Sequence, residues 1–283
     1  MTDERNMIPQ FARAVRELRP RAFIMENVRG LTRPSFIPYF GYVLRELAHP
    51  EVARNAGETW EEHNLRLISH ERFGTCGLSY TVKPQLVNAA DYGIPQVRQR
   101  VFVVGMRSDL SRGFRFPEPT HSEAALDEAK ALGTYWREHA LPPDAVSCAP
   151  SGSRAFVPAE RWRTVRDAIW DLPPPTESGL TDAFNHRQQP GARPYVGHTG
   201  SPWDLPSKTL KAGDHGVPGG ENMLRDSDGS VRYFTVREAA RLQTFPDEWS
   251  LEGPWSEAMR QLGNAVPVRL AYSIATALAE QLR

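Results

Sequence analysis

Two stretches of this chain hold side chains that could do chemistry. The segment "FIMENV" (residues 23–28) closes an apolar run, Ala22 to Met25, with an adjacent glutamate and asparagine, Glu26 and Asn27. Four apolar residues between polar ones read as a short buried strand. In an open α/β sheet, ligands and catalytic groups collect at the carboxyl ends of strands. A carboxylate placed there can hold or share a proton; alternatively, Asn27 caps the next turn and Glu26 meets solvent. The second stretch is "PQVRQR" (residues 95–100), with Gln96, Arg98 and Arg100 at alternate positions. On a strand, arginines at i and i+2 share a face and can reach one cleft. A solvated strand face is the other reading.

The elements that must position these groups follow from apolar spacing. Met7, Ile8, Phe11, Val15 and Leu18 recur at helical intervals, and Pro20 stops the pattern. A second amphipathic helix runs through "SFIPYFGYVLRELAHP", using Phe36, Ile37, Phe40, Val43, Leu44 and Leu47. After a polar stretch, "LSYTVKPQLVN" and "VFVVGM" read as strands, so the order resembles part of an α/β layer fold. From Gly113 to about Asp228 proline and glycine clusters dominate, with one helix expected at "WRTVRDAIWDL". Regular structure returns with a helix starting at Thr235, where Thr235 and Glu238 make a capping-box pattern. A terminal helix follows, with Pro267 in its first turn and Val268, Tyr272, Ala275 and Leu278 expected to face inward. The expected domains are therefore 1–113, a loop-rich 114–232, and 233–283 returning to the first.

Composition excludes more than it identifies. At 283 residues, 40% hydrophobic and 24% charged, the chain suits a globular protein of one large domain or two modest ones. No apolar run has the length of a membrane span and no secretory signal opens the chain. The two cysteines, Cys76 and Cys148, lack any metal-ligand spacing, so no disulfide framework or metal site is expected and a reducing cytoplasm fits. Net charge is zero, although four lysines stand against thirty arginines. Arginine suits bidentate phosphate and base contacts; an arginine-favouring genome composition explains the same bias.

Four blocks in order, "FIMENV", "DYGIPQVRQRVFVVG", "FTVREAARLQTFPD" and "QLGNAVPV", resemble those of the DNA (cytosine-5)-methyltransferases, and the resemblance spans nearly the whole chain. It implies a partial Rossmann-like α/β catalytic domain with a loop-rich target-recognition domain, acting on double-stranded DNA by base flipping with S-adenosylmethionine. Glu26 would bind the extruded cytosine through ring nitrogen 3 and the exocyclic amine, in a pocket that raises its pKa. Asn27 would hold the strand end, and Arg100, with Gln96 and Arg98, would contact the base oxygen, the nucleophile region or the DNA backbone. Asn264, Ala265 and Val266 match the block that closes over the cofactor; a helix cap with core contacts is the plainer reading. Arg237, Glu238 and Arg241 would brace the recognition domain against the catalytic one, or form a surface ladder. Lys208, Lys211 and His215, among glycines, are the candidate DNA contacts of the variable segment; an ordinary exposed loop remains the alternative.

Two parts of the family pattern have no match. The glycine-rich cofactor loop is absent, the sole Gly-Gly pair being Gly219–Gly220. No Pro-Cys nucleophile precedes the ENV block, and neither "GTCGLSY" nor "VSCAPSG" carries the motif. The expectation is a C-terminal portion of such an enzyme, its cofactor site incomplete, needing an N-terminal complement chain that carries the nucleophile. Without that complement a parallel sheet lacking its first strands would expose apolar edges. A non-catalytic DNA-binding module is the alternative.

Overall fold

The computed structural model describes residues 6–74, 77–110, 113–142, 160–177, 184–196, 199–212 and 222–283. Cys76, Cys148, His215 and the Gly219–Gly220 pair lie outside them. The chain divides into two compact units. The first comprises Met1–Val87, Gln99–Pro117 and Ile274–Arg283; the second comprises Asn88–Arg98 and Glu118–Ser273. This differs from the expected boundaries: most of 233–283 joins the variable segment, because its helices share that segment's core. No helix among the described residues is long and apolar enough to cross a membrane.

In the first unit, α1 (Ile8–Leu18), β1 (Ala22–Val28), α2 (Ile37–Ala48), α3 (Trp60–Phe73), β2 (Tyr80–Asn88) and β3 (Gln99–Arg107) follow in order. The sheet order is β1-β3-β2, and β1 runs antiparallel to β3, not parallel as expected. Phe23, Met25, Val101 and Val103 alternate onto one face and pack with Val15, Val43, Leu47 and Leu67. In α1 the buried positions are Ala12 and Val15. Met7 and Leu18 face solvent, as do Phe36 and Ile37 around the start of α2. The polar stretch before β2 is itself a helix, α3, and its sequence signal is the capping box of Thr59 and Glu62.

In the second unit, β4 (His121–Ser122) pairs with β5 (Glu160–Arg161) beside α4 (Glu123–Ala131) and α5 (Thr134–Glu138). Next come α6 (Val165–Ile169), a small sheet of β6 (Ser201–Pro202), β7 (Met223–Arg225) and β8 (Val231–Tyr233), then α7 (Val236–Leu242) and α8 (Trp255–Asn264). Ile169, Leu210, Leu224 and Phe234 bury against Leu242, Met259 and Leu262, so the loop-rich segment and α7–α8 form one core. α7 starts at the Thr235–Glu238 capping box read from the sequence. The last helix, α9 (Val268–Gln281), buries Leu270, Ile274 and Leu278. Of the expected inward set only Leu278 is buried; Val268, Tyr272 and Ala275 lie on the exposed side.

Phe23 lies opposite Gly105 across the β1–β3 ladder, with Phe11 and Tyr80 against its ring. A Cβ at position 105 would sit 2.1 Å from the Phe23 ring. Gly105→Ala is therefore expected to destabilise the chain by about 1–3 kcal/mol through overpacking, read as a lower midpoint in urea denaturation.

Candidate active site

β1 carries Glu26 and β3 carries Arg100. In the antiparallel register Val28 faces Arg100 and Glu26 faces Phe102, so Glu26 and Arg100 are diagonal neighbours on one side of the sheet. Their side chains meet, Arg100 Nε donating to Glu26 Oε1 at 2.9 Å. The pair is partly shielded, with 11% of the arginine and 25% of the glutamate side chain exposed. Arg100 Nη1 also donates to the Gln99 carbonyl at 2.8 Å, which orients the guanidinium. Burial lowers the Arg100 pKa, and the Glu26 charge opposes that shift. Asn27 Oδ1 accepts from the Val28 N–H at 2.8 Å, so the asparagine folds back on the strand end and does not cap the next turn. Sheet-borne, hydrogen-bonded groups of this kind are held in place before a ligand arrives.

Arg98 takes a different place from the shared strand face expected for it. β3 begins at Gln99, so strand periodicity does not reach Arg98. Its side chain is fully buried in the second unit. Nη1 donates to the Leu210 carbonyl at 3.0 Å, and Nη2 donates to the Gly263 and Ala265 carbonyls at 2.7 and 2.9 Å. Gln96, also buried, accepts the Leu210 N–H on Oε1 at 3.2 Å. Both residues hold backbone together; as placed, neither is open to a DNA contact. Gly263 fits this packing because a Cβ there would sit 2.3 Å from the Ala212 nitrogen. Gln243 supports the same segment, its Nε2 donating to the Leu262 carbonyl at 2.5 Å. It lies inside the "RLQTFPD" block, and its role is set by a partner distant in sequence.

Asn264 ends α8 and is exposed, and its side chain makes no hydrogen bond among the described residues. Ala265 and Val266 are half-buried beside it. Lys208 Nζ donates to Thr199 Oγ1 at 3.0 Å. The Lys211 backbone is held by Asn222 through two bonds of 3.1 Å. Arg237 is buried and donates to the carbonyls of Phe184, Pro246 and Trp249. Glu238 receives Arg232 bidentately at 2.7 and 2.6 Å. Arg241 binds Asp171 and Asp247 at 2.6 Å each. The braces at 237, 238 and 241 thus act within the second unit; Arg237 and Glu238 are buried, which a surface ladder would not be.

Residues 1–49 and 59–280 match the C-5 cytosine-specific DNA methylase family. The chain belongs to that family. It is 32% identical over 294 residues to the type II methyltransferase M.SacI of Streptomyces achromogenes, covering 98% of this chain and 64% of that protein. With M.Eco47II of Escherichia coli the identity is 30%, over 94% of this chain and 55% of the relative. The chain thus spans less than two thirds of the length of these relatives. A solved structure described as a prophage-encoded DNA modification methyltransferase of E. coli shares the fold, at a TM-score of 0.51 and 20% identity, over 99% of this chain and 75% of that one.

Two outcomes test this architecture. Arg98→Met removes a donor from three carbonyls, at about 1–3 kcal/mol for each one left buried and unsatisfied. It should lower stability to urea far more than Lys208→Met. Asp247 is held below the usual carboxylate range chiefly by its hydrogen bond from Arg241. A depressed folded pKa contributes stability above the unfolded value of about 3.9 and loses it as pH falls through the folded value. Stability should therefore drop below about pH 4, and Asp247→Asn should remove part of that drop in melts taken across the range.

Proposed function

We propose that this chain supplies the base-holding part of a DNA (cytosine-5)-methyltransferase that methylates cytosine carbon 5 in duplex DNA by base flipping. The observation that carries the reading is the Glu26–Arg100 pair, a carboxylate and a guanidinium locked together at the end of β1. A cytosine ring is inaccessible inside the stack, so it must leave the duplex to reach such a pair. Glu26 then shares a proton with ring nitrogen 3 and accepts from the exocyclic amine. Arg100 fixes the carboxylate and lies beside the base oxygen. Protonation at nitrogen 3 withdraws electrons from the ring and makes carbon 6 electrophilic.

A thiolate adds at carbon 6, which turns carbon 5 into the nucleophile; after methylation a base takes the carbon 5 proton, the thiolate leaves carbon 6, and the nitrogen 3 proton returns to Glu26. When bound, S-adenosylmethionine supplies the methyl group. Asn264, exposed and without a hydrogen bond among the described residues, fits one edge of that cofactor, with Ala265 and Val266 beside it. The carbonyls of Gly263 and Ala265 are occupied by Arg98, which holds this edge in place.

No Pro-Cys pair stands in this sequence, and a nucleophile needs a fixed place beside its activating partner. We infer that the thiolate and the glycine-rich cofactor loop come from polypeptide outside these 283 residues. In support, β1 is the terminal strand of the β1-β3-β2 sheet, and a terminal strand offers an edge for a further strand. A type II restriction–modification setting in a reducing cytoplasm suits a free thiolate and the relatives' names.

The test incubates labelled S-adenosylmethionine and cytosine-containing duplex with the chain, alone and with an N-terminal chain bearing the glycine loop and Pro-Cys pair. Label should enter DNA in the mixture alone, and Glu26→Gln should cut the rate by about 10²–10⁴-fold. Labelling by the chain alone would overturn the complement. Sequence-specific binding without labelling in either case would favour a DNA-binding module.

A further inference from the structure

The second unit contains a cleft of about 420 Å³ whose wall includes Gly93, Arg163, Asp167, Arg241, Thr244 and Arg269. Three arginines and one carboxylate point to an anion, provided the charges are not already neutralised. Two groups are. Asp167 is bound by Arg161 at 2.6 Å and by His139 at 3.0 Å, and Arg241 is spent on Asp171 and Asp247. Arg163 and Arg269 remain: both are exposed, and neither guanidinium makes a hydrogen bond or ion pair among the described residues.

Their backbones are firmly set. Arg163 immediately precedes Thr164, the N-cap of α6, whose hydroxyl bonds the Asp167 N–H. Arg269 lies in the first turn of α9, where its own N–H donates to Thr244 Oγ1 at 2.9 Å and the Val268 N–H donates to the Gln243 carbonyl. Thr244 holds that hydroxyl in position from a left-handed backbone conformation, φ 58°, which a β-branched residue rarely adopts.

A reporter stands beside the cleft. The His121 ring lies against Gly93, so close that a Cβ at 93 would come within 2.6 Å of it. The charged groups acting on this imidazole are Glu160, at 3.2 Å, and Arg161, Arg163 and Arg269. Burial chiefly lowers the His121 pKa, and the three arginines add to that while Glu160 opposes it.

We propose that this cleft is a phosphate site in which Arg163 and Arg269 clamp a phosphodiester of the DNA backbone, apart from the Glu26–Arg100 pair that holds the base. The inference rests on duplex DNA being the substrate. Arginine suits the task because its planar fork meets two phosphate oxygens at once. A phosphate contact positions the duplex without reading its sequence.

The experiment measures binding of the whole chain to a mixed-sequence duplex across a salt series, beside NMR of the His121 ring during titration with inorganic phosphate. The variant is Arg163→Gln/Arg269→Gln; the control, Arg13→Gln/Arg260→Gln, removes two exposed cations elsewhere. The proposal expects the variant to flatten the slope of log K against log salt by about 1–2, equally on unrelated sequences, while the control keeps the wild-type slope. It also expects phosphate to raise the His121 pKa in the wild type and not in the variant. An unchanged slope in the variant overturns the proposal while leaving the DNA reading intact. A phosphate response with an unchanged slope assigns the cleft to a free phosphate compound, which also overturns it. Failure of the wild-type chain and its complemented form to bind any duplex removes the DNA reading itself and the proposal with it.

Discussion

A guanidinium buried away from water must find acceptors in the protein, and Arg98 finds them on three backbone carbonyls remote in sequence. Leu210 belongs to the variable segment, Gly263 to the end of α8, and Ala265 to the stretch leading into α9. Leaving such a charge or those carbonyls unpaired in the interior is costly. The packing of the second unit therefore depends on these segments arriving together. Gly263 permits the approach by lacking a Cβ, and Gln243 adds a second donor to the same strip of backbone. The exposed Asn264 is consequently displayed on a support that has little freedom to move.

The first unit solves a different problem with the same residue type. Arg100 stays on the sheet, half-shielded, with a carboxylate as its partner. A charge pair at the edge of the core keeps enough exposure to meet a ligand and enough shielding for its electrostatics to exceed those of a surface pair. Two arginines two positions apart thus have unlike surroundings: one is enclosed by backbone carbonyls, and the other keeps a carboxylate partner and partial exposure. The strand boundary at Gln99 separates them.

The arginine excess of the composition divides in the same way. Arg237 satisfies carbonyls in the interior, Arg232 and Arg161 close onto carboxylates, and Arg241 bridges two aspartates. Each is satisfied internally and adds little to any external field. Arg163 and Arg269 differ in that neither guanidinium has a partner among the described residues. A net charge of zero is compatible with two unpaired arginines at this cleft, because its own carboxylate, Asp167, is already paired with Arg161.

Local signals carried much of the fold. The strand carrying Glu26, the capping box at Thr235 and the helix that follows Pro267 were legible because each depends on a few adjacent residues. The box at Thr59 carried the same signal for α3, hidden in a stretch read only as polar. What sequence could not supply was the phase of α9, since which stripe is buried depends on what packs against it, and the exposed Tyr272 is as apolar as many core residues. Nor could it place α7 and α8 in the same core as the variable segment. The sequence alone determined the family blocks and their order. Only tertiary structure decided that Arg100 meets Glu26 while Arg98 and Gln96 are enclosed, because burial and partner choice arise from contacts between segments far apart in the chain.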